Sequence, residues 1–258
     1  MLFDTHAHLE DEQLFPMLGR VLENASSAGL VGITAIGTTA ATSRKCAQLA
    51  REYPQIHSAV GIHPNHCQDA TELDWQEILN LSKQSEVVAI GETGLDRYWD
   101  YCSIEQQRIW FAKHIELSFE TEKPLVIHMR ECESDILAML KEHQRNGKVI
   151  GIMHSFAGSW ETARQCLDLG MYISFAGMLT FKKSNELREL ATRIPEDRIL
   201  VETDSPYLTP HPHRSQRPNQ PAMVCHTASC LADVRGVDLE LISAITTANA
   251  KRVFNLND

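Results

Sequence analysis

Positive charge is scarce in this chain. Its 258 residues include 24 Lys and Arg against 34 Asp and Glu, which gives a formal net charge of −10 at pH 7. This balance opposes a protein that coats nucleic acid with a basic surface. An anionic substrate would need positive charge at the binding site itself, supplied either by bound divalent cations or by arginines on the loops around the site.

Several kinds of segment are also missing. The sequence has no apolar run of about 18 residues and no basic stretch followed by an apolar one near its start, so we expect neither a membrane span nor a secretory signal. The seven cysteines include no C-x-x-C unit, which indicates reduced thiols and a cytoplasmic protein. Without a Pro/Gly/Ser-rich linker, residues 1–258 are predicted to form a single domain, and no obligate protein partner is evident.

What the sequence does contain is an alternation of short apolar runs with longer helical patterns, which is typical of parallel βα units. Eight runs and seven intervening helices favour a (β/α)8 TIM-type barrel in the α/β class, with a doubly wound sheet as the alternative. The predicted strands are Leu2–His8, Gly32–Gly37, His57–Ile62, Val87–Glu92, Pro124–His128, Val149–His154, Tyr172–Phe175 and Ile199–Asp204.

Polar residues end most of these runs, where a barrel of this type builds its active site. His6 and His8 alternate along the first strand, so both imidazoles face the same way and can bind one metal ion. A single histidine at a strand end is more often hydrogen-bonded than metal-bound. The coincidence across at least five strands favours a shared site. Its other members are His63, Glu92, His128, His154, Glu202 and Asp204.

Imidazole and carboxylate ligands suit Zn²⁺, Mn²⁺, Fe²⁺ or Co²⁺, and a site richer in water would accept Mg²⁺. The candidate ligands are too many for one tetrahedral catalytic ion that keeps an open position, so two divalent ions are predicted, with Glu92 as the candidate bridge. The predicted ligands are His6, His8, Glu92, His128, His154 and Asp204.

Six motifs, in order along almost the whole chain, closely resemble those of the TatD family of metal-dependent deoxyribonucleases. They are Asp4-Thr5-His6-Ala7-His8, Gly61-Ile62-His63-Pro64, Gly91-Glu92-Thr93-Gly94-Leu95-Asp96, Pro124-Leu125-Val126-Ile127-His128, His154-Ser155-Phe156 and Glu202-Thr203-Asp204-Ser205-Pro206-Tyr207-Leu208.

The resemblance implies a metal-dependent hydrolase of the amidohydrolase-like superfamily that cleaves phosphodiester bonds in DNA, as an exonuclease acting on single strands or ends. It also implies that one ion is held by His6, His8, Glu92 and Asp204, and the other by Glu92, His128 and His154. The implied catalytic residues are His63 at the scissile phosphate and Asp204 at the attacking water. Strand alternation places Glu202 on the same side as Asp204, so Glu202 is the third predicted catalytic residue, either as a supporting group or as a further base.

Two other classes of function stay open. A metal-dependent amidohydrolase or esterase, including one that hydrolyses an ester on an RNA end, uses nearly the same barrel and ligands. A non-catalytic metal-binding protein is the third possibility, although it would not need His63 and Glu202 as additional polar groups.

Overall fold

The strands form where Val, Ile, Leu and Ala follow one another, because a parallel strand is covered on both faces and needs apolar side chains on each. The computed structural model describes residues 1–144, 147 and 149–256, and within them it contains eight strands. They are β1 (Leu2–Ala7), β2 (Leu30–Ile36), β3 (Ile56–Val60), β4 (Val87–Asp96), β5 (Leu125–Arg130), β6 (Gly151–Met153), β7 (Tyr172–Phe175) and β8 (Ile199–Val201).

Helices alternate with the strands, and side-chain caps mark where several begin. Thr39 and Thr42 form a reciprocal capping box at one helix start, and Thr71 and Asp74 form another. Along the described part of the chain the helices are α1 (Leu18–Ser27), α2 (Ala40–Glu52), α3 (Glu72–Leu81), α4 (Ile104–Thr121), α5 (Glu133–His143), α6 (Trp160–Asp168), α7 (Asn185–Arg193), α8 (Val224–Arg235) and α9 (Leu239–Val253).

The strands lie in one sheet in the order β1 to β8, and the strand pairs are parallel. A parallel bridge between Ala7 and Ser205 joins the end of β1 to the segment after β8, and the His8 amide donates to the Ser205 carbonyl at 2.7 Å. A doubly wound sheet has its first strand inside the sheet rather than beside its last. The fold is therefore the predicted (β/α)8 TIM barrel.

Several strands differ from their predicted bounds by a few residues, and the differences in β4 and β8 bear on the proposed site. β4 continues past Glu92 to Asp96, so the whole Gly-Glu-Thr-Gly-Leu-Asp motif is strand. β8 ends at Val201, and Asp204 has a left-handed φ of 54°. Glu202 and Asp204 therefore lie beyond the strand, and strand alternation does not determine the directions of their side chains. Short polar side chains such as aspartate tolerate this left-handed conformation.

The backbone contacts divide the chain into two compact units. The first unit comprises Met1–Ala35, Ser155–Trp160 and Ile173–Asp258, and the second comprises Ile36–His154 and Glu161–Tyr172. That residues 1–258 form a single domain stays a prediction. Among the described residues, no helix has both the length and the apolar character that a membrane crossing requires.

Candidate metal centre

Three predicted ligands meet in the first unit, and we call His6, His8 and Asp204 the first cluster. The Nε2 atoms of the two histidines are 3.3 Å apart, and Asp204 Oδ1 is 3.6 Å from His6 Nε2 and 3.4 Å from His8 Nε2. His6 is fully buried, and only 15% of the Asp204 side chain is exposed. Three donor atoms thus converge on one small volume that is almost closed to solvent.

The backbone under the first cluster is held by a buried carboxylate, Asp4. Its Oδ1 accepts hydrogen bonds from the Thr203 amide at 2.8 Å and from the His6 amide at 3.3 Å, and its Oδ2 accepts from the Thr203 hydroxyl at 2.6 Å. Burial raises the pKa of Asp4 to about 8, although these hydrogen bonds work in the opposite direction. Asp4 therefore ties the end of β1 to the residue that precedes Asp204.

Three more predicted ligands meet in the second unit, and we call Glu92, His128 and His154 the second cluster. Glu92 Oε1 is 3.0 Å from His128 Nδ1 and 2.9 Å from His154 Nε2, while those two nitrogens are 3.4 Å apart. Burial opposes ionisation of Glu92, yet the imidazole of His154 and the hydrogen bond with His128 hold the pKa of Glu92 well below its usual range. Glu92 is therefore a buried carboxylate facing two imidazoles.

His128 is oriented by a residue that the sequence analysis did not select, Asp96. The Oδ2 atom of Asp96 lies 2.9 Å from His128 Nε2, on the opposite side of the ring from Glu92. Burial alone would lower the pKa of His128, but its hydrogen bonds with Asp96 and Glu92 raise it. A carboxylate that fixes the far nitrogen of a ligand histidine is a common supporting feature of metal sites. The signal for Asp96 was its alternation with Glu92 along one strand.

His63 lies beside the second cluster, with its Nε2 3.4 Å from Glu92 Oε1. Its Nδ1 accepts a hydrogen bond from the Asn65 amide at 3.1 Å, so in the neutral ring the proton is on Nε2. Burial lowers the pKa of His63 to about 4, which keeps the ring neutral near pH 7. The side chain can therefore donate one hydrogen bond from Nε2.

Glu202 is fully buried in the first unit, and hydrogen bonds reach both of its carboxylate oxygens. Oε1 accepts from the Ser155 amide at 2.6 Å, and Oε2 accepts from the Ser174 hydroxyl at 2.6 Å. Ser155 has a left-handed φ of 43° and follows His154 directly. These contacts hold Glu202 against Ser155 and β7, and its catalytic role stays a prediction.

Two glycines let β4 and β5 approach each other closely at the second cluster. A Cβ atom at Gly94 would lie 2.1 Å from the His128 carbonyl oxygen, and one at Gly91 would lie 2.5 Å from the Val126 carbonyl oxygen. Their φ angles are +138° and +143°, which side-chain-bearing residues rarely adopt. Glycine at these positions is thus required for the register that pairs Gly94 with His128.

The donor atoms fit divalent cations. Ligand atoms bound at about 2.0–2.1 Å are about 3.0 Å apart at an octahedral ion and about 3.4 Å apart at a tetrahedral one. The separations in the two clusters, 3.3 to 3.6 Å in the first and 2.9 to 3.4 Å in the second, lie in or near this range. His63, Glu92 and His128 also group as potential metal ligands. Seven of the eight predicted site residues therefore lie in or beside these two clusters, and the eighth, Glu202, contacts Ser155, the residue after His154.

A family model for TatD related DNases matches residues 3–255. The chain belongs to this family. It is 42% identical over 257 residues to the metal-dependent hydrolase YabD of Bacillus subtilis (strain 168), with 100% of both chains covered. It is 32% identical over 259 residues to the 3'-5' ssDNA/RNA exonuclease TatD of Salmonella typhimurium (strain LT2), with 99% of both covered.

A solved structure has the same fold. YJJV, a TatD homologue from Escherichia coli K12, superimposes with a TM-score of 0.93 at 24% identity, covering 99% of this chain and 98% of that one. The family model and the two relatives confirm the family prediction, and this TatD-family chain is a metal-dependent hydrolase, as the sequence predicted.

Proposed function

We propose that this TatD-family hydrolase cleaves phosphodiester bonds of DNA, acting as an exonuclease on single strands or ends. The observation that carries the proposal is the pair of clusters, each with three buried or nearly buried imidazole and carboxylate donors within 3.6 Å of one another. A relative that is named as a ssDNA/RNA exonuclease supports the substrate class.

Two divalent ions form part of the proposal. His6, His8 and Asp204 would hold one ion, and Glu92, His128 and His154 the other; Glu92 as a ligand shared by both ions stays a prediction. Zn²⁺, Mn²⁺ and Mg²⁺ are the ions to test. When bound, such ions polarise a phosphodiester and lower the pKa of a coordinated water toward neutrality.

The remaining residues are proposed to handle the substrate and the proton. His63 donates from Nε2 to a phosphate oxygen, because its Nδ1 is occupied by the Asn65 amide. Asp204 accepts a proton from the attacking water at its carboxylate, which is partly exposed. Glu202 positions Ser155, and with it the His154 turn, through its two short hydrogen bonds.

The test is hydrolysis of end-labelled single-stranded DNA by chelator-stripped protein, with Mg²⁺, Mn²⁺ or Zn²⁺ added back separately. Stepwise shortening by the wild type is expected, and it should be lost in Glu92→Ala and Asp204→Ala. Glu23→Ala is the matched control, because Glu23 is an exposed residue of α1. Activity that survives in Glu92→Ala would contradict the assignment of the second cluster.

The same protein separates the alternative classes. The amidohydrolase or esterase hypothesis would be favoured if DNA stays intact under every ion while a carboxylic ester, an amide or an ester on an RNA end is hydrolysed. Failure on all of these substrates by folded, metal-loaded protein would favour a non-catalytic metal-binding role. We also propose a cytoplasmic location, which the seven free cysteines support.

A further inference from the structure

An exposed aromatic surface follows β4 directly, formed by Tyr98, Trp99 and Tyr101, and we call it the aromatic loop. These side chains are 51%, 42% and 59% exposed. In the described part of the chain they are three of the five aromatic side chains that are exposed to this degree, and they fall within four consecutive positions. Trp99 and Tyr101 are stacked, with ring centroids 5.5 Å apart and an interplanar angle of 21°.

The loop is fixed to the second cluster by the carboxylate that orients His128. Asp96 Oδ1 accepts hydrogen bonds from the Tyr98 amide at 2.9 Å and the Trp99 amide at 3.0 Å, while Oδ2 contacts His128 Nε2. The same side chain thus sets the position of a proposed metal ligand and of the aromatic loop. This places the exposed rings next to the proposed chemistry.

A buried glutamine closes the loop at both ends. The side-chain nitrogen of Gln107 donates to the Asp96 carbonyl at 3.0 Å and to the Cys102 carbonyl at 2.9 Å, and its side-chain oxygen accepts from the Asp96 amide at 2.8 Å. Gln107 is only 1% exposed. Five residues are therefore held between two anchored points, so less ordering entropy is lost when a ligand binds to them.

Positive charge is built into the same surface. The guanidinium carbon of Arg130 lies 3.7 Å from the Tyr98 ring centroid and 5.8 Å from that of Trp99. Arg97, the neighbouring cation, is instead directed to Asp135 at 2.8 Å, a carboxylate that Arg108 also contacts. Arg130 thus lies against exposed aromatic side chains, and proteins use a cation beside aromatic rings to bind the bases and phosphates of single strands.

We infer that the aromatic loop is a stacking platform for an unpaired base of a single-stranded nucleic acid substrate, with Arg130 beside the adjoining phosphate. The inference rests on the proposed function and adds a specificity determinant to it. Bases within a duplex are already stacked on their neighbours, so the platform favours single strands over double strands. Stacking accepts any base, so the preference is for the presence of a base rather than for its identity.

The test uses an intact oligonucleotide and a series of variants of it. Each variant has one abasic nucleotide, and its position moves stepwise from the labelled end along the series. Affinity is measured by fluorescence anisotropy on metal-loaded protein with phosphorothioate-linked strands, which are hydrolysed slowly, and KM is measured on the normal strands. For the wild type, Kd and KM should rise about 5- to 100-fold at one position of the series. Trp99→Ala should weaken binding of the intact strand and remove this dependence.

Two further variants test whether the effect depends on an aromatic ring at position 99. Trp99→Phe retains an aromatic face and should restore the dependence on the base. Trp160→Ala is the matched control, because Trp160 also carries an arginine over its ring, Arg193 at 3.9 Å, and lies outside the loop; it should leave the abasic effect unchanged. Thermal unfolding of each variant checks that the fold is retained.

The outcomes separate the two hypotheses. Turnover of DNA by the wild type with no abasic effect, or with the same effect in Trp99→Ala, overturns the platform and leaves the proposed function standing. Base-dependent binding through Trp99 without turnover under any ion supports the platform and overturns the proposed hydrolysis. If neither binding nor turnover is observed, both are wrong.

Discussion

Replacing the buried His114 of α4 by glutamine should remove part of the acid sensitivity of the fold. His114 is fully buried, its Nε2 accepts a hydrogen bond from the Ile62 amide at 3.0 Å, and its Nδ1 lies 2.7 Å from the Trp110 carbonyl. The ring is neutral with its proton on Nδ1, because an acceptor nitrogen must be unprotonated. Burial lowers the pKa of His114 to about 4.

The direction of the pH effect on stability follows from the number of protons that each state binds. A histidine in the unfolded chain has a pKa of about 6.5, so the unfolded state binds more protons than the folded state between pH 6.5 and 4. The contribution of His114 to stability is therefore intact above pH 6.5 and is lost as the pH falls. From these two pKa values, wild type should lose about 2 kcal/mol between pH 7 and pH 5 through this residue alone.

Urea unfolding of wild type and His114→Gln at pH 7, 6 and 5 measures this difference. Glutamine can still accept from the Ile62 amide but does not titrate, so the gap in unfolding free energy between the two proteins should shift in favour of the variant by about 2 kcal/mol as the pH falls from 7 to 5. Groups elsewhere cancel in the comparison. A gap that stays constant with pH would refute the reasoning, because it would mean that His114 does not gain a proton on unfolding.

Three further predictions concern the metal centre. Gly94→Ala should destabilise the fold by more than about 2 kcal/mol in urea unfolding, since its Cβ would meet a carbonyl oxygen at 2.1 Å, whereas Gly19→Ala, with nothing within 4 Å, should stabilise it by up to about 1 kcal/mol. Asp96→Asn should weaken metal binding by about 10- to 100-fold in calorimetry, because the histidine it orients loses its carboxylate partner. Glu92→Ala should lower the metal bound per chain in elemental analysis, whereas His63→Ala should keep the metal and lower kcat. Equal metal content in wild type and Glu92→Ala would contradict the prediction that Glu92 bridges two ions.

Much of the candidate site follows from the sequence because most of its proposed ligands lie on regular strands or directly after them. The pair His6 and His8 illustrates this, since alternation alone predicts that their imidazoles converge, and their Nε2 atoms are 3.3 Å apart. Asp204 is different. Its carboxylate reaches that pair from a left-handed residue beyond β8, and a conformation of this kind has no periodic pattern from which a side-chain direction can be predicted.

The supporting contacts were harder to foresee, for a related reason. Glu202 bonds to Ser155 and Ser174, which lie 47 and 28 residues away in the chain, and only the folded path of the loops brings them together. His114 is similar, because it lies on a helix and reaches the Ile62 amide 52 residues earlier. Hydrogen bonds of this type depend on loop geometry, whereas strand ends depend on apolar periodicity, which a sequence displays directly.

Asp96 is a site residue whose side-chain direction strand periodicity could have predicted. A strand that continued from Glu92 would have placed Asp96 on the same side, two alternations further on. The prediction ended β4 at Glu92, before Gly94, and glycine inside a strand commonly marks an interruption or a close backbone approach. Here it marks the close approach, since a side chain at Gly94 would collide with the His128 carbonyl. Gly94 therefore allows β4 to continue alongside β5, which brings Asp96 Oδ2 within 2.9 Å of His128 Nε2.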